Sequence, residues 1–328
     1  MQIGPYKLTS PFVLAPMAGI TDAPFRKLCR QFGAGLTTSE MTTADIGLWR
    51  STKSRRRLDI DMDTSPVIIQ IAGADPAQLA LAAKLCVDRG AHIIDVNMGC
   101  PAKKVCRKAA GSALLQDEVL VARILNPVVR AVDVPLTLKI RTGWDPRHRN
   151  GVAIARIAED CGIQSLAVHG RTRACKFRGI AEYETIARIK DAIRIPVIAN
   201  GDIDTPEKSL EVLRLSSADG LMIGRAARGR PWIFRELDHY AKHGTKIAPL
   251  DKREVRDIML GHLDDLHRFY GDKSGVRVAR KHLTWYCAGL KNAEEFRSRV
   301  VRVETASEQI RLTRQFFDRT VGGTSLAA

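Results

Sequence analysis

The sequence predicts an α/β chain, a parallel (β/α)8 barrel of the TIM type over residues 1–243 followed by an all-helical domain over 244–328. Three observations predict it. Short apolar runs recur about every thirty residues, each followed by turn residues and a stretch of helical period. Eight such runs precede residue 243, and no GxGxxG follows the first of them. The count and the missing glycine fingerprint both disfavour the rival, an open doubly wound sheet. Beyond residue 243 strand signals stop and only helical periods remain.

The eight strands are expected at 12–15, 36–39, 67–71, 93–97, 136–140, 165–168, 197–200 and 220–223. Most are apolar on both faces, as strands covered by helices are. Helices are expected between them, for example at 76–89, 152–161, 183–193 and 206–215. In the first of these Leu79, Ala82, Ala83 and Cys86 recur at three and four positions, one stripe of a helix. Pro76 and Pro206 sit where a first turn tolerates proline. The pieces DVP (133–135) and IP (195–196) end one helix before the next strand. In the second part, segments 250–271, 275–290 and 293–317 read as helices broken at Gly271, Gly275 and Gly289. They form a bundle over 244–320 with a frayed tail at 322–328.

Composition narrows the class. A chain of 328 residues exceeds what one core usually holds, and 45% hydrophobic with 27% charged residues is ordinary globular usage. The apolar patch at 12–15 is too short for a signal segment or a membrane span, so a soluble cytoplasmic protein is expected, with no membrane. Seven cysteines are scattered, odd in number and never in a CxxC pair. That excludes a disulfide framework and a zinc site, and implies a reducing compartment and no metal. A monomer is the default expectation.

Charge points to a partner. Fifty-two Lys and Arg against 36 Asp and Glu leave a formal charge of +16, which favours a polyanion. Basic runs follow strand ends: KSRRR (53–57), KKVCRK (103–108), RTGWDPRHR (141–149), RTRACKFR (171–178) and RAARGR (225–230). In the predicted register they ring one mouth. Trp49, Trp144, Phe177 and Trp232 lie in or near these loops, available to stack on unpaired bases or to pack in the core. Arg277, Arg280, Lys281, Arg297, Arg299 and Arg302 add charge at spacings compatible with one face of the helical part. A basic surface this wide suits a folded nucleic acid better than a metabolite.

In a parallel barrel the chemistry sits at the carboxyl ends of the strands. Those ends carry Pro16-Met17-Ala18-Gly19, Gln70, Asn97-Met98-Gly99-Cys100-Pro101, Lys139 and Arg141, His169-Gly170-Arg171, Asn200-Gly201-Asp202, and Gly224-Arg225. Glycines ending the seventh and eighth strands are where this fold seats a phosphate on backbone N–H groups, although tight turns alone also use glycine. Lys139 inside an apolar strand has to face an anion or a salt-bridge partner. A cation in that place beside a flavin ring would stabilise its reduced form. Cys100 stands at the mouth beside Lys103 and Lys104, which favour a thiolate, whereas proton donation needs the thiol. His169 reads as a site residue or as a hydrogen-bonded structural histidine.

The segments APMAGITDAPFR, VNMGCPAKKV, LKIRTGW, VHGRTR, IANGDI and IGRAARGRPW resemble tRNA-dihydrouridine synthases, most closely the bacterial B-type subgroup. The resemblance covers essentially the whole chain and shows no departure at a catalytic position; Ala23 and Cys175 look like tolerated variation. It implies bound FMN, NADPH (or NADH) as reductant, and tRNA as partner and substrate. It also implies hydride from flavin N5 to C6 of a uracil and a proton to C5 from Cys100. By motif position, Pro16, Met17 and Ala18 line the flavin, and Gln70 and Lys139 bond its isoalloxazine. Asn200, Gly201, Asp202, Gly224 and Arg225 hold the ribityl phosphate, and His169 the flavin or substrate edge. Asn97, Arg141 and Arg171 contact the substrate. The subgroup points to uridine 17 of the D loop, in standard tRNA numbering. Two other readings stay open: a barrel flavoprotein acting on a free pyrimidine such as orotate, and a tRNA-binding protein without catalysis.

Overall fold

The computed structural model describes residues 1–322, with side chains to residue 319. Each expected barrel strand is present with its ends moved by at most two residues: Phe12–Leu14, Leu36–Thr37, Ile68–Ala72, Ile93–Met98, Leu136–Arg141, Ser165–His169, Val197–Asn200 and Gly220–Ile223. All pair in parallel in chain order. The last pairs with the first through Leu221↔Phe12, and a bridge from Thr38 to Ile68 joins the second to the third and closes the barrel.

Period-two alternation explains how this barrel is filled. Residues such as Leu14, Ile69, Ile71, Ile94, Val96, Leu138, Ile140, Val168 and Ile223 point outward and pack with the helices in one buried cluster. The other set points inward. At the strand starts it is apolar, with Val13, Leu36, Ile68, Ile93, Ala167 and Ile198 in a separate inner cluster. Further along the same strands it turns polar, with Gln70, Asp95, Asn97, Lys139, Arg141, His169 and Asn200. The barrel is therefore dry at its amino end and polar at its carboxyl end.

The sequence reading took 293–317 as one helix, which the structure divides into Ala293–Val300 and Ala306–Gly322, and it missed two short strand elements. An antiparallel hairpin, Gln2–Ile3 with Tyr6–Lys7, sends Ile3 and Leu8 into the inner cluster and plugs the amino end. A short strand, Thr42–Thr43, pairs with Ile71–Ala72.

The outer helices start where caps dictate. Asp75, Asp117 and Thr205 accept backbone N–H groups at the starts of Pro76–Val87, Glu118–Arg130 and Pro206–Ser216. Ile233–His243 still belongs to the barrel core through Ile233, Phe234 and Leu237. Lys252–Tyr270, opened by an Asp251/Glu254 capping box, then packs with Asp272–Tyr286, Ala293–Val300 and Ala306–Gly322 around a second cluster that includes Leu263, Leu283, Phe296 and Phe317.

Gly275 is not a break. It lies inside Asp272–Tyr286, where a Cβ would stand 2.8 Å from the Cα of His267, so it is the close-contact point of two helices. The expected breaks at Gly271, at φ 74°, and at Gly289, at φ 79° between Asp272–Tyr286 and Ala293–Val300, are present. The expected frayed end lies outside the described residues except for Gly322, which is helical.

The two parts share a packed seam. Phe25 stacks on His262 at 5.6 Å, Trp232 lies 6.2 Å from Tyr286, and Lys27 pairs with Asp265 at 2.9 Å. The Tyr270 hydroxyl donates to Asp22 at 2.9 Å, while Lys281 donates to the carbonyl of Gly19. Among the described residues no helix is long and apolar enough to cross a membrane.

Candidate active site

The polar carboxyl end opens into a cavity of about 1100 Å³. Pro16, Met17, Ala18, Gln70, Asn97, Cys100, Lys139, Arg141, His169, Asn200, Gly201, Asp202, Gly224 and Arg225 all line it. Fourteen of the fifteen residues singled out by sequence thus share one wall. Arg171 does not. Its guanidinium is 3% exposed and bonds both oxygens of Asp202 at 3.0 and 2.6 Å, with further bonds to the carbonyls of Arg178 and Gly179. These four hydrogen bonds brace a loop, and the side chain stands outside the residues lining the cavity, where a substrate contact was expected.

The floor is a continuous hydrogen-bonded network. Thr137 donates to Asp95 at 2.6 Å, Gln70 Nε2 to Asp95 at 2.7 Å, and Asn97 Nδ2 to Gln70 Oε1 at 2.9 Å. Asn97 Oδ1 in turn accepts from the backbone N–H groups of Gly99 at 3.2 Å and Cys100 at 3.0 Å. The loop carrying Cys100 is thereby tied to the barrel interior. Asp95 was missed by the sequence reading. The signal was there, since it lies two residues before Asn97 and so points inward with it.

Lys139 stands in the same layer, paired in register with Asn97. Its ammonium donates to Asn200 Oδ1 at 3.1 Å, and the Asn200 amide donates to the Met222 carbonyl at 2.7 Å. Burial, then the charge of Arg141, push the ammonium down to about 8, against the pull of Asp95. Asp95 is shifted the other way, burial raising its carboxyl above the usual range. Neither is held by a close ion pair, so Lys139 is a cation only partly answered from within the chain.

Arg141 bonds the carbonyls of Gly99 at 2.8 Å, Thr172 at 3.0 Å and Lys176 at 2.8 Å, with the ring of Phe177 5.6 Å away. It joins the Cys100 loop to the loop after the sixth strand. Burial raises the Cys100 thiol, opposed by the Ala102 N–H and by Arg141, so it stays protonated at neutral pH. His169 directs Nδ1 to the Asn200 carbonyl at 3.1 Å; burial and the charges of Lys139 and Arg141 hold its ring neutral.

At the opposite side Gly201 has φ 130°, and a Cβ there would stand 2.7 Å from Ala181 Cβ and 3.0 Å from His169 Nδ1. Only glycine fits. Burial raises Asp202, but Arg171, the Ala181 N–H and Arg225 outweigh it and keep the carboxylate ionised. That carboxylate orients Arg225 at 3.1 Å on the cavity edge.

The rim is basic. Lys103, Lys176, Arg225 and Arg228 line it, from three of the five basic runs, while Arg141 of a fourth lies deeper. The KSRRR run turns elsewhere, Arg56 to the Tyr270 carbonyl and Arg57 to that of Met41. Of the four aromatic candidates, Phe177 alone is exposed at the mouth, 58% accessible. Trp49 is buried, Trp232 packs at the seam, and Trp144 lies under Arg173 at 4.2 Å. All seven cysteines are free, and among the described residues no group of three His, Cys, Asp or Glu is arranged for a metal.

The family model described as dihydrouridine synthase matches residues 13–321. The tRNA-dihydrouridine synthase B of Pseudomonas aeruginosa is 59% identical over 329 residues, covering 100% of this chain and 99% of that one. The protein of the same name from Xanthomonas campestris pv. campestris is 58% identical, covering 98% and 97%. In fold the chain resembles histamine dehydrogenase from a Rhizobium species, at TM-score 0.58 and 12% identity, over 99% of this chain and 64% of that one. From the barrel interior, the matched span and these identities, the chain belongs to the dihydrouridine synthase family.

Proposed function

We propose that this cavity reduces the C5=C6 bond of a uridine in tRNA, with a flavin, FMN, as the bound cofactor and NADPH (or NADH) as reductant. The observation that carries the reading is Cys100, its thiol pushed up by burial, on the wall of the cavity whose floor holds the incompletely paired Lys139. The residues fit such a cofactor. Gln70 and Lys139 would hold its isoalloxazine beside Pro16, Met17 and Ala18, with His169 at its edge. Backbone N–H groups of Asn200, Gly201, Asp202 and Gly224, with the guanidinium of Arg225, would hold its phosphate; the Asp202 carboxylate acts there through Arg225. When bound, the flavin supplies the hydride taken up by C6 of the uracil.

The chain does the rest. The base has to leave its stack to enter the cavity, a cost already partly met in a tRNA loop. Lys103, Lys176 and Arg228 attract its flanking phosphates, and exposed Phe177 offers a stacking face. Asn97 and Arg141 meet the uracil. Cys100 then transfers its proton to C5, leaving a thiolate stabilised by the charge of Arg141 until solvent restores the thiol. The enzyme is a flavin-dependent oxidoreductase, working as a monomer without a metal in the cytoplasm, its target uridine 17 of the D loop. Residues 1–243 carry the chemistry and 244–328 grip the tRNA.

The test is anaerobic. Protein whose released flavin is FMN, bleached by NADPH and recoloured by unmodified tRNA with dihydrouridine at one D-loop position, is the expected result. Recolouring by free orotate or uracil but not by tRNA would favour a small-pyrimidine enzyme, and a colourless protein that takes up no FMN would favour RNA binding without catalysis.

A further inference from the structure

A second hollow, of about 230 Å³, lies among the C-terminal helices. Its floor is apolar, formed by buried Phe296, Leu312 and Phe316, with the two phenyl rings stacked at 4.4 Å and 21°. Its rim is cationic. Lys291, Arg299, Arg319 and Lys252 line it beside the neutral Asn292 and Gln315; among the described lining residues the one carboxylate is Glu295. Glu295 lies 3.9 Å from Arg299, both side chains more than half exposed, a pair too loose to neutralise the rim.

The hollow is remote from the barrel mouth. Lys252 opens the helix whose last residue, Tyr270, touches Asp22 beside the cavity loop. At the helical rise those ends are about 27 Å apart. An apolar aromatic floor under a ring of cations is the complement of a nucleotide, which carries a flat ring and an anion on one short frame. An acidic peptide would answer the rim and leave the floor bare. Arginine adds a second way to hold a base, by lying over its plane.

We propose that this hollow binds one unpaired nucleotide of the tRNA, its phosphate on the rim and its base against the Phe296–Phe316 floor. The proposal rests on tRNA being the substrate, and it adds a second anchor far from the uridine being reduced. Such a contact fixes where the RNA sits and reads little sequence. A second point of contact at the far end of that helix defines an orientation that the barrel mouth alone does not.

The test uses the full holoprotein and the double variant Lys291→Glu/Arg299→Glu. Both residues are exposed, and retained flavin reports an intact fold. Dissociation constants for unmodified tRNA are measured across salt concentrations, and tRNA carrying 4-thiouridine is crosslinked and the peptides mapped. The expected result is affinity about tenfold weaker or more, with a salt slope shallower by roughly two. Wild-type crosslinks in the peptide carrying Phe316 should be lost in the variant. Uridine monophosphate should suppress that crosslink at concentrations where inorganic phosphate does not; equal suppression would overturn the base contact. Unchanged affinity and slope in the variant, with the wild type still reducing tRNA, would overturn the hollow alone. A wild type that neither binds nor reduces tRNA would overturn the substrate reading as well.

Discussion

Replacing Lys139 with methionine removes an ammonium and keeps most of the stem. Lys139 is 9% exposed, and its ammonium is lowered from 10.5 to about 8. At ~1.4 kcal/mol per pH unit, holding that charge in the flavin-free fold costs about 3 kcal/mol at neutral pH. The sign follows from linkage. Between pH 8 and 10.5 the unfolded chain binds this proton more tightly than the folded one, so folding stability rises with pH across that window. Below 8 the cost is present in full. Lys139→Met should therefore stabilise the flavin-free protein at pH 7 by up to about 3 kcal/mol, reduced by whatever Asp95 loses with its nearby cation. The same variant should bind flavin more weakly and reduce uridine slowly, because in the proposed site this charge would face the reduced ring. Urea unfolding of flavin-free wild type and variant at pH 7 and pH 10, with a flavin titration, checks both halves. A variant less stable than wild type at pH 7, or with undiminished flavin affinity, would refute the reasoning.

Three other outcomes are expected. Asp22 is buried and raised by that burial to about 6, so its contribution to stability is full below pH 3.8 and lost as pH climbs through 6. Asp22→Asn, which keeps a helix cap, should gain on wild type in melting temperature between pH 4.5 and 7; parallel pH curves would count against it. Gly201→Ala forces a side chain at φ 130° into contact with Ala181 and His169. It should cost roughly 1–3 kcal/mol and weaken flavin binding, read by thermal unfolding and flavin fluorescence. Gly275→Ala drives a methyl to 2.8 Å from the backbone of His267, which should cost roughly 1–3 kcal/mol with flavin affinity untouched, because it lies in the helical part.

The barrel was legible because its strands use two alphabets at period two. Runs such as Ile93-Ile94-Asp95-Val96-Asn97 declare both a strand and, by their polar inward set, which end holds the site. The same periodicity would have found Asp95. Elements of two residues, such as Thr42–Thr43, carry too few positions for any period to show. Gly275 was misread because a glycine for close helix contact and one for a break look alike in one dimension. Charges were legible as a total and as runs, but not by partner. Arg171 and Arg225 stand in similar glycine-flanked motifs, yet Asp202 takes both ends of one guanidinium and only one contact from the other. Aromatics divided in the same way, since whether Trp49 or Phe177 faces the mouth depends on loop packing that no local pattern encodes.

The most direct test follows one turnover of reduced wild type and Cys100→Ala with unmodified tRNA, recording flavin reoxidation and dihydrouridine together. The account predicts that both proteins are reduced by NADPH at similar rates and that the alanine variant forms dihydrouridine some 10²- to 10⁴-fold more slowly. Dihydrouridine formed at the wild-type rate without Cys100 would contradict it.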